Sequence, residues 1–234
     1  MNIDLSGRTA MVTGSTAGIG EATAQALATA GAGVVINGRD DERVMETAKR
    51  LAGIGVTADV STPEGAAAAI SQVPDIDILV NNTGTFATQP VFEIPDEEWI
   101  RFFQVNVLSG VRLARHYTPR MSRRGWGRVI FVSSEAGIQT PTNMVHYGMT
   151  KTAQLAVSRG MAQEVAGSGV TVNCVLPGPT LSAGVLAMWD DLYPGARHRR
   201  AGTQVRRRRA GRELLVGTSD PSGRSGSPDH LPCV

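Results

Sequence analysis

Tyr147 and Lys151 stand four residues apart, a separation that sets two side chains on one face of a helix. The pair suits proton transfer. A phenol ordinarily releases its proton near pH ~10, and a neighbouring ammonium favours the phenolate and lowers that value. A tyrosine tuned in this way can give or take a proton at an oxygen whose carbon gains or loses a hydride. By itself Tyr-x-x-x-Lys is a frequent surface pair on helices, so its meaning rests on what surrounds it. Ser133 and Ser134 follow an apolar run, Arg128 to Val132, and Asn81-Asn82-Thr83-Gly84 closes the run before it. Asn106 falls in a long helical stretch, and Pro177-Gly178-Pro179-Thr180 ends the run after Tyr147.

A second constellation lies near the N-terminus. Thr13-Gly14-Ser15-Thr16-Ala17-Gly18-Ile19-Gly20 joins an apolar run to a helical one. Glycines there allow a tight turn and close approach of the backbone to a pyrophosphate. The following helix start offers unpaired N–H groups to the same anion. Where the second strand ends, an acid would bind a ribose 2′-hydroxyl and an arginine would accommodate a 2′-phosphate. The chain reads Ile36-Asn37-Gly38-Arg39-Asp40. Gly38 replaces the acid and Arg39 follows, which favours NADP(H) over NAD(H), while Asp40 is free to pair with Arg39 or turn inward.

These residues need a scaffold, and the pattern supplies one. Short apolar runs at 9–13, 34–37, 55–58, 76–80, 128–132 and 170–175 alternate with helical segments at 18–30, 41–52, 63–70, 95–121 and 144–164, the long fourth one open to a break. Strands apolar throughout and separated by helices indicate a parallel sheet covered on both faces. Right-handed crossovers then give a doubly wound α/β sheet, Rossmann-like and three-layered. Its ligand site is expected at the strand C-terminal ends, near the switch in strand order.

Taken in order, the motifs resemble the short-chain dehydrogenase/reductase family over Leu5 to about Thr180. The resemblance implies a catalytic tetrad. Tyr147 is the acid/base, and Lys151 lowers its pKa and holds the ribose. Ser134 hydrogen-bonds the substrate oxygen, and Asn106 holds a water that relays protons from Lys151. It further implies that Gly14, Ser15, Gly18, Ile19 and Gly20 form the diphosphate turn, Asp59 and Val60 the adenine contact, and Asn82 and Gly84 the central-strand motif, with Thr83 where alanine is usual. Pro177, Gly178 and Thr180 would flank the nicotinamide. Ser133 reads as a turn residue, Asn81 as structural, His116 and His146 as incidental, and Glu135 as either a pocket or a loop acid. The substrate is then a small carbonyl or secondary alcohol. The family commonly pairs through the helices after the fourth and fifth strands, where Val107, Ala114, Ala153, Leu155 and Ala156 are candidates for a dimer contact.

The resemblance stops at the tail. From Gly195 onward stand nine arginines, no lysine and three acids, a net of +6, whereas the preceding residues net −4. No final strand appears there, so the sheet is expected to lack its last strand and residues 191–234 to form a separate basic, Gly/Ser/Pro-rich tail. Three readings stand: translation in a shifted frame of a GC-rich gene, a basic tail for nucleic acid or acidic lipid, or a solvated extension. Arg206 to Arg209 lacks interleaved aromatics, so no specific nucleic-acid partner is expected. No apolar run long enough for a membrane span, no export signal and no metal spacing among Cys174, Cys233 and the histidines point to a cytoplasmic enzyme without a metal. The alternative is a cofactor-binding relative disabled by its altered C-terminus. A frameshift predicts that the underlying DNA, read in another frame, encodes an apolar strand followed by Asp-Gly-Gly; its absence would remove that explanation.

Overall fold

A computed structural model describes residues 3–180. Six parallel strands form one sheet: β1 (Thr9–Val12), β2 (Gly33–Gly38), β3 (Ile54–Thr57), β4 (Ile78–Asn81), β5 (Gly127–Val132) and β6 (Val170–Val175), in the order β3-β2-β1-β4-β5-β6. Strand order therefore reverses between β1 and β4, where Ala10 pairs with Ile78 and Val12 with Val80. The tail and the question of a last strand lie outside the described residues, as does Cys233.

Alternation along the strands feeds two cores. Met11, Val35, Leu79, Val129, Phe131 and Val172 face one side. There α3 (Pro63–Gln72), α5 (Ser109–Arg123) and α6 (Val145–Glu164) cover them with Ala69, Leu113, Tyr117, Met121 and Val165. Ala10, Val12, Val34, Ile36, Ile78 and Val80 face the other, where α1 (Gly18–Thr29) and α2 (Asp41–Arg50) add Ala24 and Ala48. The fold is thus a Rossmann-like, three-layer α/β sheet.

Local chemistry fixes the helix starts. Asp40 caps α2 by accepting from the Arg43 N–H at 3.1 Å, and Thr62 caps α3 at Gly65 with Pro63 in the first turn; each cap satisfies a donor the helix cannot. Asp40 therefore serves the helix and not Arg39.

The long fourth helix is broken. α4 (Asp96–Phe103) passes into a π turn at Gln104–Leu108 and then into α5. Ser109 N–H reaches five residues back to Gln104 O, while side chains take two neighbouring carbonyls: Ser109 Oγ binds Val105 O and Gln154 Nε2 binds Asn106 O. Such π turns concentrate at functional sites. Of the five residues suggested for a dimer contact, Val107 and Ala114 are buried inside the chain's own core and cannot serve; Ala153 and Leu155 are half-buried and Ala156 is exposed.

His146 is fully buried, tilted against Phe102 with ring centroids 4.0 Å apart and edge-on to Trp99 at 6.1 Å. Neither ring nitrogen has a partner. Burial lowers its pKa below the ordinary 6.5, Glu98 opposing and Arg101 assisting. The unfolded chain then takes up the proton first, so this contribution to stability is present above pH 6.5 and is lost as pH falls below it, by at most about 1.4 kcal/mol per pH unit. Urea midpoints at pH 7.5 and pH 5.5 should differ more for the wild type than for His146→Leu; equal differences would show that His146 does not carry the effect.

Candidate active site

The strand order reversal opens a crevice above β1 and β4, as expected for an open α/β sheet. Gly14 and Gly18 adopt φ of +61° and +57°, values that favour glycine. A side chain on Gly20 would collide with Gly14 O and Asn82 Nδ2. Asn82 Nδ2 donates to both Thr13 O and Gly14 O, at 2.9 and 3.1 Å, and Thr13 Oγ1 accepts from the N–H groups of Asn82 and Thr83, each at 2.9 Å. The turn is thereby locked to the end of β4. Ala17 at the N-cap of α1 offers no side-chain acceptor, and Glu21 in the first turn is drawn to Arg50 at 2.6 Å. The first N–H groups of α1 have no side-chain cap, and at Gly20 beside them there is no room for a Cβ atom. This arrangement fits a diphosphate.

A cleft of about 310 Å³ runs from this turn past Asn37, Gly38 and Arg39 to Asp59, Val60 and Ser61, and on to Asn82, Gly84 and Arg101. One sequence expectation needs correction. Ser15 does not face the cleft: it is buried, its hydroxyl donates to Val12 O at 2.7 Å and accepts from Asn37 N–H at 3.0 Å, and its N–H binds Asn37 O. Its role is to join the turn to β2. Ile19 packs toward the α1 core, leaving only its backbone for an anion. Arg39 approaches Asp59 at 3.9 Å while largely exposed. Val60 lines the cleft with its side chain mostly in the core.

The proposed catalytic side chains gather at the other end of the crevice. Ser134, at the end of β5, caps the short helical turn Glu135–Gly137 by accepting from Ala136 N–H at 3.2 Å. Tyr147 lies in the first turn of α6, half-buried, edge-on to Phe86. Asn106, 1% exposed, ties three elements: Oδ1 accepts from Thr85 N–H at 2.7 Å, and Nδ2 donates to Thr85 O and Thr150 Oγ1. Lys151 Nζ donates to Val132 O at 2.9 Å and stands 5.5 Å from the Tyr147 ring centre. Ser133 Oγ donates to Lys151 O at 2.8 Å, a structural use. Glu135 N–H binds Pro177 O, and Glu135 Oε2 lies 3.3 Å from where a side chain on Gly178 would begin. Glu135 is thus exposed beside Gly178, and Thr180 Oγ1 donates to Gly178 O.

Burial pushes the Tyr147 phenol up, Ser134 opposes through hydrogen bonding and Glu135 adds to the rise. Burial lowers Lys151 to about 8, with Cys174 opposing. In the protein alone, then, the tyrosine holds its proton firmly and the lysine holds its own weakly.

The comparisons agree with this geometry. A family model for the short chain dehydrogenases matches residues 8–191. The chain belongs to the short-chain dehydrogenase family. It is 48% identical over 202 residues to the uncharacterised oxidoreductase YvaG of Bacillus subtilis, covering 83% of this chain and 76% of that one. It is 36% identical to a D-beta-hydroxybutyrate dehydrogenase of Rhizobium meliloti over 75% of this chain and 72% of that one. In structure it resembles L-sorbose reductase of Gluconobacter frateurii, solved with NADPH and L-sorbose, with TM-score 0.78, 35% identity and coverage of 82% and 77%.

This short-chain dehydrogenase also uses residues that sequence reading passed over. Arg43 Nη2 reaches Thr16 O at 3.5 Å, bringing a second guanidinium to the Arg39 end of the cleft. Its place on the first turn of α2 was a readable signal. Arg112 binds Ser61 O at 2.7 Å and holds the loop after β3, and Gln154 joins Asn106 to Lys151; no local motif announces either. Gly20→Ala forces the turn apart from Asn82, which should cost about 1–3 kcal/mol and abolish a thermal shift with NADPH. Unaltered melting and an unaltered shift would show that the cradle tolerates a methyl group.

Proposed function

We propose that this protein interconverts a carbonyl and a secondary alcohol using NADP(H). The observation that carries the reading is the convergence of Tyr147, Ser134 and Lys151 at the end of the crevice opposite the glycine cradle, where Lys151 Nζ faces Gly84. A nicotinamide held in this crevice would supply the hydride chemistry. Tyr147 gives its proton to the carbonyl oxygen in reduction and takes one from the alcohol in oxidation. Ser134 hydrogen-bonds that oxygen as charge develops on it. Lys151 holds the ribose and, when charged, favours the phenolate. Asn106 holds the loop at Thr85 against α6 and keeps a proton path at Lys151 in register. Arg39 and Arg43 favour a 2′-phosphate, with Gly38 in place of an acid. Glu135 beside Gly178 favours substrates bearing hydroxyl groups over anionic ones. Two copies pair through α5 and α6, which light scattering would report as a dimer; a compact tetramer would count against it.

The first test is melting temperature with and without each cofactor. A ligand at a hundred times its Kd stabilises the folded state by about 2.7 kcal/mol, so NADPH should raise the melting temperature and NADH much less. Equal shifts would remove the NADP preference, and no shift with either would favour a relative that has lost its site. Tyr147→Phe should keep the NADPH shift and lower kcat by about 10²–10⁴. Because burial and Glu135 raise Tyr147, reduction should weaken, and oxidation strengthen, as pH rises through its pKa. A rate of reduction that grows with pH would count against Tyr147 as the acid.

A further inference from the structure

Gln154 is 1% exposed, one turn beyond Lys151 on α6. Its amide spans two functional groups. Nε2 donates to the main-chain carbonyl of Asn106 in the π turn at 2.5 Å, and Oε1 accepts from Lys151 Nζ at 3.4 Å. The orientation is forced. A carbonyl only accepts and an ammonium only donates, so the Gln154 amide must turn its donor end to Asn106 O and its acceptor end to Lys151. A carboxylate would set an acceptor against Asn106 O, and an apolar side chain would leave a carbonyl and part of an ammonium buried without partners. Val132 O supplies the other acceptor for Nζ, at 2.9 Å. The ammonium remains approachable from Gly84, whose missing side chain would begin 3.6 Å from Nζ.

We infer that Gln154 is a positioning residue that holds Lys151 charged and in place by linking it to the π-turn carbonyl of Asn106. Lys151 is a group that burial would otherwise discharge, and the acceptor Oε1 opposes that loss. The titratable groups acting on the same region are Tyr147 on α6, Cys174 from β6 and Glu135 from the turn after β5. The π turn gains a purpose in this arrangement: it presents Asn106 with its side chain toward Thr85 and Thr150 and its carbonyl toward Gln154.

The inference rests on the assignment of Lys151 to the active site, yet it can be tested without turnover. The sequence holds two lysines, Lys49 and Lys151. Lysine labelled with ¹⁵N at Nζ therefore gives two signals, and Lys49 on α2 is an internal reference. In Gln154→Met the Lys151 titration midpoint should fall by about one pH unit or more, because a hydrogen bond to the ammonium is lost, while Lys49 stays fixed. Gln154→Leu is the second variant should methionine fail to fold, with the same expectation. A folded variant whose melting temperature changes but whose Lys151 titrates as in the wild type would overturn the inference and leave Gln154 as packing alone. A shifted titration in a protein that reduces no carbonyl would leave the inference standing and count against the proposed reaction.

Discussion

The contact on which the site depends is the junction between the glycine turn and the end of β4. Asn82 donates from its amide to the carbonyls of Thr13 and Gly14, and Thr13 returns its hydroxyl to two N–H groups beyond β4. A parallel sheet whose order reverses must part its loops at that point, because β1 and β4 are followed by helices on opposite faces. Parting the loops exposes backbone polar groups. The Asn82–Thr13 exchange satisfies those at the root of the crevice and leaves the N–H groups at the start of α1 facing outward. Gly14 and Gly20 follow from it, since Asn82 occupies the space a Cβ would need.

The opposite end of the crevice is organised by a different device, a set of buried amides. Asn106 joins the loop after β4 to α6 through Thr85 and Thr150, and Gln154 answers from α6 to the carbonyl of Asn106. Buried polar networks of this kind are costly when half-satisfied and rigid when complete. Here each amide end meets a group of the opposite kind, so α6 is fixed in rotation and depth relative to β4. Tyr147 and Lys151 inherit that placement. Their proton affinities are displaced by burial in opposite senses, the phenol upward and the ammonium downward. In the protein alone the pair is therefore not yet a phenolate beside an ammonium. The family resemblance implies a lysine that lowers the tyrosine; in the protein alone the ammonium binds Val132 O and Gln154 and stands 5.5 Å from the ring centre.

The amino-acid sequence by itself determined the sheet. Apolar runs at 34–37 and 128–132 became β2 and β5, and the helical period of 144–164 became α6 within one residue, because strand and helix periods are local properties. The glycine turn was legible for the same reason: tight turns need glycine wherever they occur. Tyr147 and Lys151 stood out by their spacing, and Ser134 and Asn106 joined them through the resemblance to the family. Tertiary structure decided what each side chain touches. Ser15 turned inward because Val12 O and Asn37 N–H await it there, Val107 and Ala114 sank into the core, and the helix expected over 95–121 broke into a π turn because partners at Thr85, Thr150 and Gln154 claim its groups. Those partners lie 21 to 48 residues away along the chain. A hydrogen bond across such a separation leaves no period and no motif in the sequence, so only the assembled fold reveals it.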